Sequence, residues 1–270
     1  MTDLTYRIKR RILSTLTKRN FLGPGPEGKD MINLVLYFDY EREFGNPAAK
    51  ASAETGFRFI VETLDRFNIK ATWNCVGLIA EKYPDTLQML VDRGHELSSH
   101  TYHHVDVTNI TRDVIVQELR LSRKRFADEF GVEVVGFHPP QDRWSIPLLQ
   151  AMKLTEYQYL IARDNNPQHW HAHLLKLPFV DQRLCIPSIA DDWDYFDNHM
   201  VPEIMLRYWE ERISMLGPGS VAAIGFHPWV LGASPERLSF FESLVTSLVA
   251  DDSISLTSGR ELLTHYQDQL

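Results

Sequence analysis

Ile32-Asn33-Leu34-Val35-Leu36-Tyr37-Phe38 is a nearly continuous apolar run, and Asp39-Tyr40-Glu41 follows it directly. A half-buried strand alternates apolar and polar residues. A run this uniform is the pattern of a strand covered on both faces, as in a parallel sheet flanked by helices. Strand-like and helix-like runs then alternate along the chain. Phe57, Ile60, Val61, Leu64 and Phe67 recur at helical spacing, and Ala71–Val76 reads as the next strand. Leu87–Val91 belongs to a helix ending at Arg93-Gly94. Thr111–Phe130 reads as a helix with Gly131 as its C′ residue, and Glu133–Phe137 as a strand. Ser145 with Pro147 marks another helix start.

The rhythm returns near the C-terminus. Ser220–Phe226 reads as a strand, and Ser234-Pro235 opens a helix with Leu238, Phe241, Leu244, Val245 and Leu248 on one face. Ser255–Thr257 reads as the last strand, and Ser258 with Glu261 is a capping-box pattern. Such alternation implies an α/β fold of parallel strands joined by crossover helices. Periodicity does not say whether the sheet closes into a barrel. Tyr157–His199, rich in Trp, His, Asp and Asn, reads poorly as helix and is expected to be a long insertion facing the substrate.

Phe21–Asp30 (FLGPGPEGKD) is a linker, because its Gly and Pro cluster cannot hold a helix or a central strand. The chain of 270 residues therefore divides into a basic segment with its linker, 1–30, and one domain, 31–270. The apolar fraction of 44% and charged fraction of 24% are those of a soluble globular protein. Arg7, Lys9, Arg10, Arg11, Lys18 and Arg19 oppose only Asp3 in the first twenty residues, so the net charge of −8 hides a still more acidic body. That balance argues against nucleic acid as the main partner. Leu4, Ile8, Ile12 and Leu16 could make residues 1–20 a short amphipathic helix in weak contact with an anionic membrane surface. The plainer reading, a helix packed on the domain or a frayed terminus, is preferred. No apolar run is long enough for a span, and no apolar stretch of the signal-peptide kind follows the basic start. Cys75 and Cys185 form no disulfide framework and read as small buried side chains. A reducing compartment is expected, hence a cytoplasmic protein, with a peripheral place at the membrane as the variant.

Three features could carry chemistry. His100 and His104 are spaced so that, on one helical turn, both would converge on one metal. The spacing alone does not decide this, since many helices carry two histidines on a solvated face. Asp39 and Glu41 end a strand, where α/β enzymes gather catalytic groups. The alternative is an acidic loop with Glu43 as its third acid. His227, after the Ser220–Phe226 strand and before Pro228, is placed as a general acid or as a hydrogen-bonded turn residue.

Taken in order, these features resemble the polysaccharide deacetylases, carbohydrate esterase family four. The first motif of that family is similar to Phe38-Asp39-Tyr40-Glu41, and its second to His100 and His104. Ala71–Gly77 and Asp92–Leu97 resemble the approach to the second motif. His138-Pro139-Pro140-Gln141, with Asp142-Arg143-Trp144 after it, corresponds to the third. Asp192-Trp193 resembles the fourth motif and Phe226-His227 the fifth, so the likeness runs from Asn33 to Thr257. It implies a single-domain distorted (β/α) barrel of about seven strands. It also implies a metal-dependent amide hydrolase that removes the N-acetyl group from an acetamido sugar or glycan precursor. By that resemblance Glu41, His100 and His104 hold a divalent metal, with zinc as the default and cobalt, nickel or manganese as alternatives. Asp39 is the base, His227 the acid and Asp192 the partner that keeps His227 charged. The Gln141 backbone N–H, with Pro140, His138 and Arg143 nearby, serves the oxyanion and substrate, and Trp193 walls the acetyl methyl.

Two departures stand out. The common first motif has adjacent aspartates, whereas this chain has Asp39-x-Glu41. The third motif has His138 where the family has an arginine, and a neutral histidine would lower the Asp39 pKa less than a permanent cation would. Arg143 is the spatial candidate to replace it. His103 is expected to meet solvent or substrate, and His95 to be structural. An allantoinase-like hydrolase of cyclic amides or ureides and a non-catalytic glycan-binding module remain the alternatives.

Overall fold

The computed structural model describes residues 18–177, 180–193 and 200–270. The pattern at Leu4, Ile8, Ile12 and Leu16 lies outside them. Ten strands are described: β1 Lys18–Phe21, β2 Ile32–Tyr40, β3 Thr72–Cys75, β4 Glu96–Ser99, β5 Gly136–Phe137, β6 Tyr159–Arg163, β7 His173–Leu177, β8 Val180–Asp191, β9 Val221–Phe226 and β10 Ile254–Thr257. Seven of them, β2-β3-β4-β5-β6-β8-β9, pair in parallel, and β9 returns to β2. The sheet is therefore a closed seven-strand barrel in one domain. β10 pairs in parallel with the first half of β2, Ile32–Val35, while β7 and β1 extend β8 as antiparallel strands.

The interior of β2 follows from its period of two. Val35 and Tyr37 belong to the cluster that fills the barrel, and Leu34, Leu36, Phe38 and Tyr40 belong to the layer under the helices. Asp39 continues the inward series at the C-terminal end. Space for Tyr37 comes from Gly225 on β9, where any Cβ would overlap its ring. Outside the barrel, Phe38 stacks on Trp73 at 4.5 Å, and Trp209 stacks on Phe226 at 4.6 Å. At the opposite end, Glu96 accepts from Tyr159 Oη at 2.7 Å and from the Arg260 backbone N–H at 2.8 Å. This ties down the terminal helix Gly259–His265, whose capping box is formed by Ser258 and Glu261.

Most helix boundaries follow their caps. Thr111 caps Arg112–Phe130, which ends at Gly131 with φ 64, and Ser145 and Ser234 cap Ile146–Leu154 and Pro235–Ala250. The expected insertion over Tyr157–His199 is corrected. It contains two barrel strands, β6 and β8, with β7 as a hairpin between them. The polar residues that suggested a loop fall in the connector after Arg163 and again from Asp191 onward. Pro187, which argues against a strand, lies next to the register shift in β8. Among the described residues no helix is long and apolar enough to cross a membrane.

Candidate active site

The C-terminal ends of the barrel strands open on a cavity of about 620 Å³, with walls from the loops after every barrel strand but β3. Asp39 faces it from β2 and is 3% exposed. Its register partner on β3, Asn74, donates Nδ2–H to Asp39 Oδ1 at 2.8 Å. His138 Nε2 lies 3.3 Å from Asp39 Oδ2. Burial pushes the Asp39 carboxyl up, but the charged rings of His138 and His227 override it and hold it well below the usual carboxylate range. It is therefore a carboxylate at neutral pH.

Glu41 follows the strand and turns back over Gly45, whose missing Cβ leaves room for the carboxylate. Glu41 Oε2 is 3.3 Å from His104 Nε2, and Oε1 is 3.2 Å from His227 Nε2. His100 donates Nδ1–H to the His138 carbonyl at 2.8 Å, which leaves Nε2 as the lone-pair nitrogen. Burial lowers its pKa to about 4, so the ring is neutral. The expected helical turn is corrected: His100 and His104 sit in the loop after β4, with Thr101 at φ 63 and His104 at φ 57. Left-handed backbone does what a helix would have done, and the two rings end 5.1 Å apart. One ligand atom each from Glu41, His100 and His104 falls within 4.8 Å of the others, the one such cluster among the described residues. Two imidazoles and a carboxylate, with a position left open, are a donor set that fits a divalent metal.

His227 follows β9. Its Nδ1 lies 2.6 Å from Asp192 Oδ1, and its backbone N–H donates to both Asp192 oxygens at 3.1 and 2.9 Å. Burial works against charge on this ring, and Asp192 and Glu41 overcome it, lifting the His227 pKa well above its usual value. Its Nε2 stands 3.6 Å from Asp39 Oδ2. A carboxylate and an imidazolium thus share one cavity wall.

The remaining residues expected from the motifs divide. Gln141 lines the cavity in a left-handed conformation, φ 62, whereas Pro140 is buried and outside the lining. Arg143 lines the cavity but pairs with Asp106 at 3.3 Å, so the cation beside Asp39 is His138 and not Arg143. Trp193 stands at the mouth, 43% exposed, its ring 6.2 Å from His227 and 6.0 Å from Trp229. His103 bonds Glu118 at 2.7 Å, and His95 is buried and accepts the Ala71 N–H at 3.3 Å. Asn74, Asp142, Arg163, Asp191 and Trp229 had no role in the sequence reading. The signal for Asn74 was a polar side chain inside an otherwise apolar strand. Arg163 was hidden because β6 was.

Residues 33–160 match a family model described as Polysaccharide deacetylase. Over 81 residues the chain is 36% identical to Chitin deacetylase 1 of Cryptococcus neoformans, 30% of this chain and 17% of that protein. Over 140 residues it is 22% identical to peptidoglycan-N-acetylglucosamine deacetylase PgdA of Listeria monocytogenes, 52% of this chain and 27% of that protein. The matches thus span well under two thirds of the length of these relatives. The fold is similar to that of a polysaccharide deacetylase-type protein from Mycobacterium smegmatis, with a TM-score of 0.81 at 17% identity, over 93% of this chain and 96% of that one.

Proposed function

We propose that the chain is a member of the polysaccharide deacetylase family, whose model residues 33–160 match, and a metal-dependent deacetylase of N-acetylated sugars of the chitin or peptidoglycan kind. The observation that carries this reading is the pairing of Asp39 and His227. They hold opposite protonation states, 3.6 Å apart, beside the cluster of Glu41, His100 and His104. Amide hydrolysis needs both at once.

When bound, a divalent metal supplies Lewis acidity at that cluster, and zinc suits two neutral imidazoles and a carboxylate. Asp39 accepts a proton from the attacking water as the water oxygen bonds to the acetyl carbon. The backbone N–H of Gln141 is assigned to the developing oxyanion. The carbon–nitrogen bond then breaks, and His227 Nε2–H gives its proton to the leaving nitrogen. Acetate and a free amino sugar result. Asp192 holds the imidazolium until that transfer, and Trp193 walls the acetyl methyl.

The test is acetate release by the metal-loaded chain from N-acetylchitooligosaccharides and peptidoglycan fragments, with allantoin alongside. Acetate release is the expected result. Allantoin turnover without acetate would move the chain to the cyclic-amide hydrolases, and glycan binding with neither would make it a binding module.

A further inference from the structure

Arg163 ends β6 at the cavity wall, with its side chain 14% exposed. Its Nε–H donates to Asp142 Oδ2 at 3.1 Å, and its Nη2–H donates to Asp191 Oδ2. Each carboxylate continues into one half of the site. Asp142 Oδ1 lies within ion-pair range of His138 Nε2, at 3.4 Å, and His138 in turn flanks Asp39. Asp191 Oδ1 accepts the backbone N–H of Trp193 at 2.8 Å, which pins the turn carrying Asp192, the partner of His227. From these contacts we propose that Arg163 is a positioning residue that ties the Asp39–His138 side of the site to the Asp192–His227 side.

The chemistry suits that task. A planar guanidinium offers its donors at fixed angles and can hold two carboxylates from different loops, whereas an ammonium is a single point charge. Without it, Asp142 and Asp191 would face each other as partly buried like charges, and the two loops would separate. Gln141 and Asp142, both left-handed at φ 62 and 55, are held in a conformation that a slack loop would abandon. A displacement of about 1 Å between acid and base is enough to cost on the order of 10²-fold in rate.

The kinetic arm of the test rests on the deacetylase reading. With the metal-loaded chain and N-acetylchitooligosaccharides, Arg163→Ala is expected to lower kcat by about 10–100-fold with KM within about twofold. Added guanidinium is expected to recover part of the loss. Unchanged kcat would overturn the proposal, as would a raised KM at full kcat, which would make Arg163 a substrate ligand. Arg163→Lys guards against a folding defect; it keeps the charge and is expected to stay near the Ala rate, so full activity in it would refute the bridge. An arm that needs no turnover separates this proposal from the deacetylase reading. In Arg163→Ala the ring nitrogen NMR signals of both His138 and His227 are expected to shift while those of His95 and His173 stay. Movement of only one ring, or of neither, would refute the bridge even in an inactive protein.

Discussion

His138 Nε2 stands 3.3 Å from Asp39 Oδ2, while its Nδ1–H donates to the Ile161 carbonyl at 3.0 Å. With one ring nitrogen donating to a carbonyl and the other facing carboxylates, imidazolium is the form that satisfies both. Burial opposes that charge, but Asp39 and Asp142 outweigh it and lift the His138 pKa to about 9. Where the resembled third motif has an arginine, this chain thus has a histidine whose surroundings make it a cation.

A pH dependence of stability follows. The folded pKa of His138, about 9, lies above its unfolded value of 6.5. The stabilisation is fully present below the unfolded pKa and is lost as pH rises through about 9. In metal-free protein the melting temperature should fall between about pH 6.5 and 9, and His138→Gln should start lower and lack that part of the fall. A wild-type melting temperature flat across the window would mean His138 is neutral.

Asp192→Asn tests the acid. Removing the carboxylate 2.6 Å from His227 Nδ1 lets burial pull the ring pKa down, so the proton is lost at lower pH. The alkaline limb of kcat/KM should move to lower pH, and kcat should fall by about 10²–10⁴-fold. A pH–rate profile with its alkaline limb unmoved would remove Asp192 from that role.

Gly45→Ala tests the placement of Glu41. Gly45 has φ −83, which alanine adopts without strain, so any effect comes from the Cβ meeting the Glu41 carboxylate. The fold should survive with an unchanged circular dichroism spectrum while zinc affinity drops by about 10–100-fold. Unaltered affinity would show that Glu41 has room to spare, or that it is not a ligand.

What was legible in the sequence had a local cause. β2 showed itself because both of its faces are buried, and Asp39, Glu41, His100 and His227 showed themselves because each sits where a buried strand ends. Barrel closure was not legible in the periodicity and came only from the resemblance to the deacetylases, since Pro187 and a polar connector disguised β8 and β6, and with β6 went Arg163. The histidine spacing suggested a helix because residues four apart share a helical face, and only left-handed backbone at Thr101 and His104 brings the same pair together from a loop. The charge on His138 depends on Asp39 and on Asp142, the second of which approaches through a left-handed turn that no spacing records.

The central claim is that Glu41, His100 and His104 hold one catalytic metal. Its most direct test is the zinc content of the purified chain after zinc loading and dialysis, compared with that of His100→Ala prepared alongside. One ion per chain in the wild type, lost in His100→Ala together with acetate release, is the expected result. Equal zinc in both proteins would contradict the assignment.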